Sequence, residues 1–366
     1  MTNPPPISFS FQFGPVGSIG LSDEALYREA VADAKHGHAL GYSVGWMIEH
    51  HFSEYYPTPN PLVFLATIAG LCPGLGLGTS VMVLPWYPPA RFAEDVAMLQ
   101  TLSQAELHIG LGRGTAKAEY TAFQIDMESA RDRFAEHWDV VRRLLSGGKF
   151  THEGKFTRIP DPIELRPRLG TKKPFFYGAI GSQDSASVMG TLGLPPITIA
   201  QFPDAILRKI LAAWKAAASD AGYREDHKLP IFTQCWIADT DEDARRLAKT
   251  YLPTFFGIQV RHYQSEEDPL RWVSGYEQWS KLFSNLKRLC NPDNLDDYLT
   301  MNLVGTPDTV ERRIRELSDL GFNEIIITNA IYGVPREIRH NMLERFAAEV
   351  MPRFGLRASA PARAIG

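Results

Sequence analysis

Two adjacent histidines end an apolar run in the stretch IEHHFSEYYPTPNP. An imidazole changes its charge near neutral pH, so His50 and His51 could transfer protons, bind a metal or simply pack in the core. Side chains on a strand alternate in direction, so a regular strand turns one histidine to the interior and the other to the helices. We place His50 inward, because the residues in phase with it, Val44, Trp46 and Ile48, are the bulkier apolar set that fills a closed sheet.

Metal binding is not expected at this pair. A metal ion needs three or four converging ligands, and the only candidate cluster in the sequence is EHH. His36 and His38 are two positions apart on a helical segment, so they face different ways. Cys72, Cys235 and Cys290 are far apart and form neither a CxxC site nor a disulfide pattern. We therefore predict no metal, and thiols that stay unused in a reducing compartment.

A second set of residues suits a phosphate group. Arg113 in GLGRGT has glycines close on both sides, which let the backbone approach a ligand, and its guanidinium offers a fork of donors. Gly181, Ser182 and Ser185 stand at the start of a helical segment, where free N–H groups attract anions. Taken singly, each feature also fits an ion-paired surface arginine or an ordinary serine cap. GLGRGT is not a dinucleotide motif, because Thr115 stands where the third glycine belongs.

Strand-like runs alternate with helical segments along the whole chain. A regular alternation of eight such pairs predicts a parallel sheet that closes into a (β/α)8 TIM barrel, with a doubly wound open sheet as the alternative. The predicted strands are Ile7–Phe13, Ser43–Glu49, Leu77–Leu84, Glu106–Leu111, Pro174–Ala179, Pro196–Ala200, Pro230–Ile237 and Glu324–Thr328.

Two segments are too long to be simple connections. Ala116–Lys173 follows the fourth strand and Thr240–Asn302 follows the seventh, so both insertions belong to the carboxyl-terminal face of the barrel, where catalytic groups collect. The second is rich in aromatic residues and is either a lid or an extra helical layer. We expect one domain over residues 1–355 and a frayed tail over 356–366.

Composition excludes several classes of protein. The 366 residues carry a formal charge of −4 without a dense basic cluster, so nucleic acid is not an expected partner. The amino-terminal stretch lacks the features of a signal peptide, and no run of about 18 apolar residues suggests a membrane span. We expect a cytoplasmic enzyme.

Taken together, the motifs resemble those of the bacterial luciferase-like flavin monooxygenases, and most closely the luciferase α-subunit subgroup. The similarity runs in a consistent order over most of the chain. It is carried by EHHFSEYYPTPNP, LGTSVMVLPWYPPARFAEDVAMLQTLS, IGLGRG, DMESARDRFAE, VGTPDTV and RFAAEVMPRFG.

The resemblance implies a barrel that takes reduced FMN from a separate NAD(P)H:flavin reductase. The flavin reacts with O2 to a C4a-hydroperoxide, which oxygenates a small organic substrate. Two alternatives remain open: a deazaflavin (F420)-dependent hydride-transfer enzyme on the same fold, and a non-catalytic flavin-binding subunit. The resemblance also suggests a homodimer through the helices around Leu62–Cys72 and Arg91–Leu102.

The same resemblance assigns roles to single residues. His50 matches the catalytic histidine, Arg113 matches the phosphate-binding arginine, and a non-proline cis peptide is expected around Ser80 and Val81. The implied flavin-binding positions are Ser80, Val81, Met82, Arg113, Gly114, Thr115, Gly181, Ser182 and Ser185.

The chain departs from the family pattern at three places. SQAE, beginning at Ser103, replaces the usual SGGR before the fourth strand, which alters a turn. Gly181 stands where luciferase has a carboxylate near the phosphate, and Gly112 stands where it has a reactive cysteine beside the flavin. Light emission is therefore not expected, whereas oxygenation is.

Overall fold

The computed structural model describes residues 6–223, 228–263, 273 and 277–356. Its strands are β1 (Ser8–Gln12), β2 (Val44–Met47), β3 (Gly76–Val83), β4 (Leu107–Gly112), β5 (Phe150–Glu153), β6 (Arg158–Ile163), β7 (Phe175–Ala179), β8 (Pro196–Ile199), β9 (Pro230–Ile237), β10 (Leu303–Gly305) and β11 (Glu324–Thr328).

Eight parallel strands close into a barrel in the order β1, β2, β3, β4, β7, β8, β9 and β11, and β11 pairs with β1 to complete the ring. The prediction of a TIM barrel is confirmed, and all eight predicted strands are present. The structure adds a short strand, β10, at the carboxyl end of β9, and an antiparallel hairpin, β5–β6, within the first insertion.

The helices pack around this barrel. They are α1 (Asp23–Ala39), α2 (Pro61–Leu71), α3 (Pro89–Leu102), α4 (Lys117–Ala122), α5 (Ala130–Leu145), α6 (Gln183–Thr191), α7 (Asp204–Asp220), α8 (Asp241–Tyr263), α9 (Glu277–Leu289), α10 (Asp296–Met301), α11 (Pro307–Leu320) and α12 (Arg336–Arg345). None of these described helices is both long enough and apolar enough to cross a membrane.

Local sequence explains where the helices begin and end. In α11 the Thr306 side chain accepts a hydrogen bond from the Thr309 N–H, and Pro307 occupies the first turn, where a missing N–H does no harm. Gly321 ends the same helix at φ +114°, a conformation that glycine adopts without strain. These signals fix the length of the helix independently of its packing.

The two insertions lie after β4 and β9, as predicted. The first contains α4, α5 and the β5–β6 hairpin; the second contains α8, α9 and α10. Trp272 and Tyr276, which were part of the predicted aromatic lid, lie outside the described residues, as does the predicted tail beyond Leu356.

The apolar core has an outer and an inner part. The outer part fills the space between barrel and helices and includes Phe9, Phe11 and Ile325. The inner part fills the barrel itself with Val44, Trp46, Tyr177, Ile197, Phe232 and Ile326. This inner plug closes the barrel below its carboxyl end and leaves a cavity above it, where the chemistry-bearing residues meet.

Candidate active site

The cavity opens at the carboxyl ends of the barrel strands, the face on which TIM-barrel active sites form. His50 from the β2 end, Arg113 from the β4 end and Ser185 from α6 all line it. Phe255 and Tyr263 on α8 and Phe283 on α9 cover one side, so the second insertion does form an aromatic wall of the cavity.

His50 lies between a carboxylate and a phenol. Its Nδ1 is 3.3 Å from Glu119 Oε1 on α4, and its Nε2 is 3.3 Å from the Tyr263 hydroxyl. Burial raises the pKa of Tyr263, so this phenol remains protonated and can donate to Nε2. The tautomer that satisfies both contacts carries its proton on Nδ1, donates it to Glu119, and leaves the Nε2 lone pair on the side of the cavity wall.

His51 does not line the cavity, and its ring belongs to a different network. Its Nε2 is 2.9 Å from Glu49 Oε1, and its ring packs edge-on against Trp86 and Phe123. Glu49 also accepts hydrogen bonds from the Val83 N–H at 2.8 Å and from the Tyr87 hydroxyl at 2.8 Å. The His51 side chain therefore holds the chain after β2 in place. The backbone N–H of His51 donates to Glu119 Oε1 at 2.7 Å, which fixes that carboxylate beside His50.

His262 on α8 completes the cluster. Its Nδ1 is 2.8 Å from Ser53 Oγ, and its ring lies edge-on to His50 with 4.4 Å between the ring centroids. Its Nε2 is buried, is 3.7 Å from Glu119 Oε1, and makes no hydrogen bond within the described part of the chain. His262 thus presents a free ring nitrogen to the same carboxylate that contacts His50.

Burial sets the protonation of this cluster. It lowers the pKa of His50 to about 3, with His51 adding repulsion, and lowers the pKa of His262 to about 3, with His50 adding repulsion. Burial also raises the pKa of Glu119 and of Glu49. At neutral pH both imidazoles of the cluster are therefore uncharged, and each has one N–H and one lone pair that can accept a proton.

The lowered histidine pKa values predict loss of stability in acid. Both side chains titrate near 6.5 when unfolded and near 3 when folded, so between these values the unfolded chain binds more protons and stability falls as pH falls. The raised pKa values of Glu119 and Glu49 act in the opposite sense above 4.5. We expect His262→Phe to flatten the pH dependence of the unfolding free energy by up to about 1.4 kcal/mol per pH unit.

Urea unfolding at a series of pH values below neutrality measures this slope. His38→Phe on α1, outside the cavity, is the matched control. Parallel curves for the wild type and His262→Phe would contradict the assignment of a buried, neutral His262.

The cluster also has a donor set that a divalent cation can use. One ligand atom from each of His50, Glu119 and His262 lies within 4.8 Å of the other two. Two imidazoles and a carboxylate suit zinc, with one coordination position left for water or substrate. The sequence predicted no metal because two of these three residues lie far from the EHH motif.

The wall beside this cluster is formed by β3. The Ser80–Val81 peptide bond is cis, as the family resemblance implied. Ser80 and Val81 line the cavity, and Ser80 Oγ is buried without a hydrogen-bond partner among the described residues. A side chain at Gly112 would place its Cβ 2.4 Å from Val81 Cγ2, so glycine is needed at this position to make room for Val81.

The end of β4 lies across the barrel from β1 and β11, and it contributes an arginine side chain and backbone groups to the cavity. Arg113, Gly114 and Thr115 line the cavity, and Gly114 adopts φ +77°, which turns the chain directly after the arginine. Ser185 lines the same region from the first turn of α6, where backbone N–H groups favour anions. These residues can hold a phosphate.

Three of the predicted cofactor-binding residues do not line the cavity. The Met82 side chain packs in the outer core, because alternation along β3 turns Val81 inward and Met82 outward. Ser182 is the N-cap of α6, and its Oγ accepts the Ser185 N–H at 3.1 Å. The Gly181 N–H donates to Ser185 Oγ at 3.1 Å. Of the two serines predicted at α6 only Ser185 lines the cavity, and its hydroxyl donates to the Ser182 carbonyl at 2.9 Å.

Sequence reasoning missed Glu119 and His262. Glu119 stands six positions after Arg113 in a short helix, and nothing in its own neighbourhood marks it as buried. His262 follows a long aromatic segment at the end of α8. The only available signal was that both lie in insertions that follow barrel strands, which the fold turns toward the cavity.

Comparison with known proteins agrees with this geometry. The family model described as luciferase-like monooxygenase matches residues 9–324. The uncharacterized protein y4vJ of Sinorhizobium fredii is 28% identical over 234 residues, which cover 60% of this chain and 63% of that protein. The oxygenase component of a flavin-dependent trigonelline monooxygenase from Acinetobacter baylyi is 24% identical, over 91% of this chain and 90% of that protein.

A solved structure shows the same architecture. The monooxygenase RslO1 from Streptomyces bottropensis superimposes with a TM-score of 0.77 at 25% identity, over 95% of this chain and all of the other. The family model spans most of the chain, and His50, Arg113 and Ser185 line one cavity at the carboxyl end of the barrel. The protein is therefore an enzyme of the luciferase-like monooxygenase family.

Proposed function

We propose that this protein is the oxygenase of a two-component, FMN-dependent monooxygenase. It would take reduced FMN from a separate NAD(P)H:flavin reductase in the cytoplasm and use O2 to oxygenate a small organic substrate. The observation that carries the proposal is that one cavity joins the His50–Glu119 pair, the Ser80–Val81 wall and the anion-binding groups at Arg113 and Ser185. A relative of similar length is named an oxygenase component.

The residues present fit FMN. Arg113 and Ser185 would hold its phosphate, and Ser80, with its unused hydroxyl, and Val81 would lie against the ring system. Gly112 keeps this wall free of a side chain that would displace Val81. When bound, reduced FMN supplies the activation of O2, which no protein side chain can supply.

The protein's own part is positioning, proton transfer and exclusion of water. Glu119 holds the Nδ1–H of His50, so Nε2 is its basic nitrogen, and a proton would pass between Nε2 and the reacting groups through the Tyr263 hydroxyl that donates to it. The same carboxylate stabilises the imidazolium that forms. The aromatic wall of Phe255, Tyr263 and Phe283 keeps the cavity apolar on one side, which limits access of water and stray protons.

Rapid mixing tests the proposal. The purified protein, loaded with photoreduced FMN, is mixed with O2, and flavin reoxidation, peroxide release and substrate oxidation are followed over a panel of aldehydes, ketones, amines and sulfur compounds. We expect slower reoxidation than for free flavin, less peroxide than flavin consumed, and an unchanged reaction in EDTA, since we propose that no metal takes part.

Other outcomes identify the alternatives. Immediate release of one peroxide per flavin, with no product, contradicts oxygenation. Tighter binding of reduced F420 than of reduced FMN supports the hydride-transfer enzyme. Binding of FMN without oxidation of any compound in the panel supports a non-catalytic subunit.

Removal of the Arg113 guanidinium should weaken FMN binding selectively. Arg113→Ala takes away charge-assisted hydrogen bonds to the phosphate, and we expect FMN affinity to fall by about 10–100-fold. Riboflavin, which has the same ring but no phosphate, should bind the variant and the wild type equally. Titration of flavin fluorescence measures both, with Lys117→Ala on the exposed side of α4 as the control. Equal weakening of FMN and riboflavin would instead indicate a distorted ring site.

We further propose a homodimer through α2 and α3. Val63, Met98 and Leu102 on these helices are 66%, 51% and 58% exposed, an apolar surface of the kind that subunits cover. Light scattering should give the mass of two chains for the wild type and of one chain for Val63→Glu combined with Met98→Glu. Ile19→Glu, at an equally exposed apolar position elsewhere, should leave the dimer intact.

A further inference from the structure

Three polar side chains form one row across the barrel interior. Gln12 on β1 is the register partner of Thr328 on β11, and Thr328 is the register partner of Gln234 on β9. Neighbouring strands are about 5 Å apart, so the two glutamines stand two strand spacings from each other with the threonine between them. All three residues line the cavity. We call them the Gln–Thr–Gln row.

The row lies directly on top of the apolar plug. Ile326 and Phe232 belong to the plug, and each precedes a member of the row by two positions on the same strand, which places the row one layer nearer the carboxyl end. Barrel layers are usually filled by branched apolar residues. Two amides at this level are therefore unexpected for packing alone.

Part of the hydrogen-bonding capacity of the row is unused. Gln12 is 1% exposed and Gln234 is 4% exposed, and neither Gln12 Nε2 nor Gln234 Oε1 makes a hydrogen bond among the residues that the structure describes. Gln12 lies beside the Tyr56 hydroxyl, which donates to the carbonyl of Ala330 and whose oxygen can accept one of the two Gln12 amide protons, so the other remains for a ligand. A buried amide without a partner lowers stability. The row therefore offers one donor and one acceptor to something that enters the cavity.

The position of the row separates it from the anion-binding groups. In the ring of eight strands, β11 stands four strands from β4, whose end carries Arg113, so the row and the arginine face each other across the barrel. The row is next to β2, whose end carries His50. It therefore borders the side of the cavity where a substrate could meet the proton-transfer group without displacing the phosphate.

We propose that the Gln–Thr–Gln row recognises a neutral polar group, a hydroxyl or an amide, on an otherwise apolar and aromatic substrate. Such a group accepts from Gln12 Nε2 and donates to Gln234 Oε1, while Phe232 and Phe255 contact the apolar body. The row itself contains no charged side chain, which disfavours a carboxylate at this place. In naming the ligand as substrate, the proposal rests on the proposed function; as a binding site it stands independently.

Three probes of nearly equal shape test each half of the row. Naphthol donates and accepts, methoxynaphthalene only accepts, and naphthalene does neither. Equilibrium dialysis against the full chain, with and without FMN, should give affinities in the order naphthol, methoxynaphthalene, naphthalene, with about 5–10-fold between successive probes.

Variants assign each step of this order to one residue. Gln234→Leu should bring naphthol down to the level of methoxynaphthalene, and Gln12→Leu should bring methoxynaphthalene down to the level of naphthalene. Naphthalene itself should bind both variants as well as the wild type. Because leucine replaces an unsatisfied amide, thermal unfolding should show that the stability of both variants is unchanged or raised. Thr328→Val is a third variant, which removes the hydroxyl of the row without changing the shape of the side chain.

A matched control separates this effect from a general one. Gln100→Leu removes another buried amide whose Nε2 and Oε1 both lack partners in the described structure, but on α3 outside the cavity. It should leave all three affinities unchanged. Equal affinities of the three probes for the wild type, or an order that persists in the Gln12 and Gln234 variants, would overturn the proposal.

FMN binding distinguishes failure of this proposal from failure of the proposed function. The row variants should bind FMN as the wild type does. If they lose FMN instead, the row belongs to the flavin site and the substrate proposal is wrong. If the wild type binds no FMN yet keeps the order of the probes, the proposed function fails and the row remains a binding site for neutral polar groups.

Discussion

Alanine at position 50 is expected to abolish substrate oxidation and to leave FMN bound with nearly unchanged affinity. The His50 imidazole is the only one whose two nitrogens meet Glu119 on one side and the Tyr263 hydroxyl on the other within the described cavity. Without it the proton that accompanies oxygen transfer has no positioned acceptor or donor, which costs a factor of about 10²–10⁴ in rate. The FMN phosphate would be held elsewhere, by Arg113 directly after β4 and by Ser185 on α6.

Single-turnover mixing of His50→Ala with reduced FMN, O2 and substrate measures the yield of product and of peroxide separately. We expect O2 consumption to continue, with peroxide replacing product. His51→Ala is the control: it removes the partner of buried Glu49 and should lower the melting temperature, but it should keep the ratio of product to peroxide. A His50→Ala variant that still couples O2 to product would remove His50 from the mechanism.

The barrel was predictable because its signals are local and repeated. Each strand is an apolar run, each helix has readable ends, and neither depends on knowing what lies opposite. Of the two histidines only His50 lines the cavity, as predicted, but β2 ends at Met47 and Ile48, Glu49 and His50 all line the cavity, so regular alternation is not the reason. On β3 alternation does apply to Met82, whose side chain packs in the outer core although it was predicted beside Val81 at the flavin.

The partners of His50 were not predictable, because they come from distant segments. Glu119 is 69 positions and Tyr263 213 positions from it along the chain. Their approach depends on how two insertions fold over the barrel mouth, and no periodicity encodes that. The Gln–Thr–Gln row was hidden for a related reason: Gln12, Gln234 and Thr328 become neighbours only through the register of β1, β11 and β9.

Replacement of Glu119 by glutamine is expected to lower turnover about as much as the loss of a general base does. The two side chains have the same shape, and an amide oxygen at the Oε1 position can still accept both the His51 backbone N–H and the Nδ1–H of His50. The tautomer of His50 is therefore kept, but the negative charge that would stabilise the imidazolium is lost. We expect kcat to fall by about 10²–10⁴, with little change in KM or FMN affinity.

Two measurements separate this positioning role from a purely structural one. Nitrogen NMR of histidine-labelled protein should show His50 protonated on Nδ1 in both the wild type and Glu119→Gln, so that a fall in kcat reports the lost charge and not a changed tautomer. Glu136→Gln is the matched control, because Glu136 on α5 accepts N–H groups of the β5–β6 hairpin, away from the cavity, and should affect stability without affecting kcat. If Glu119→Gln weakens FMN binding at unchanged kcat, then Glu119 shapes the cavity and its charge does not assist the proton transfer.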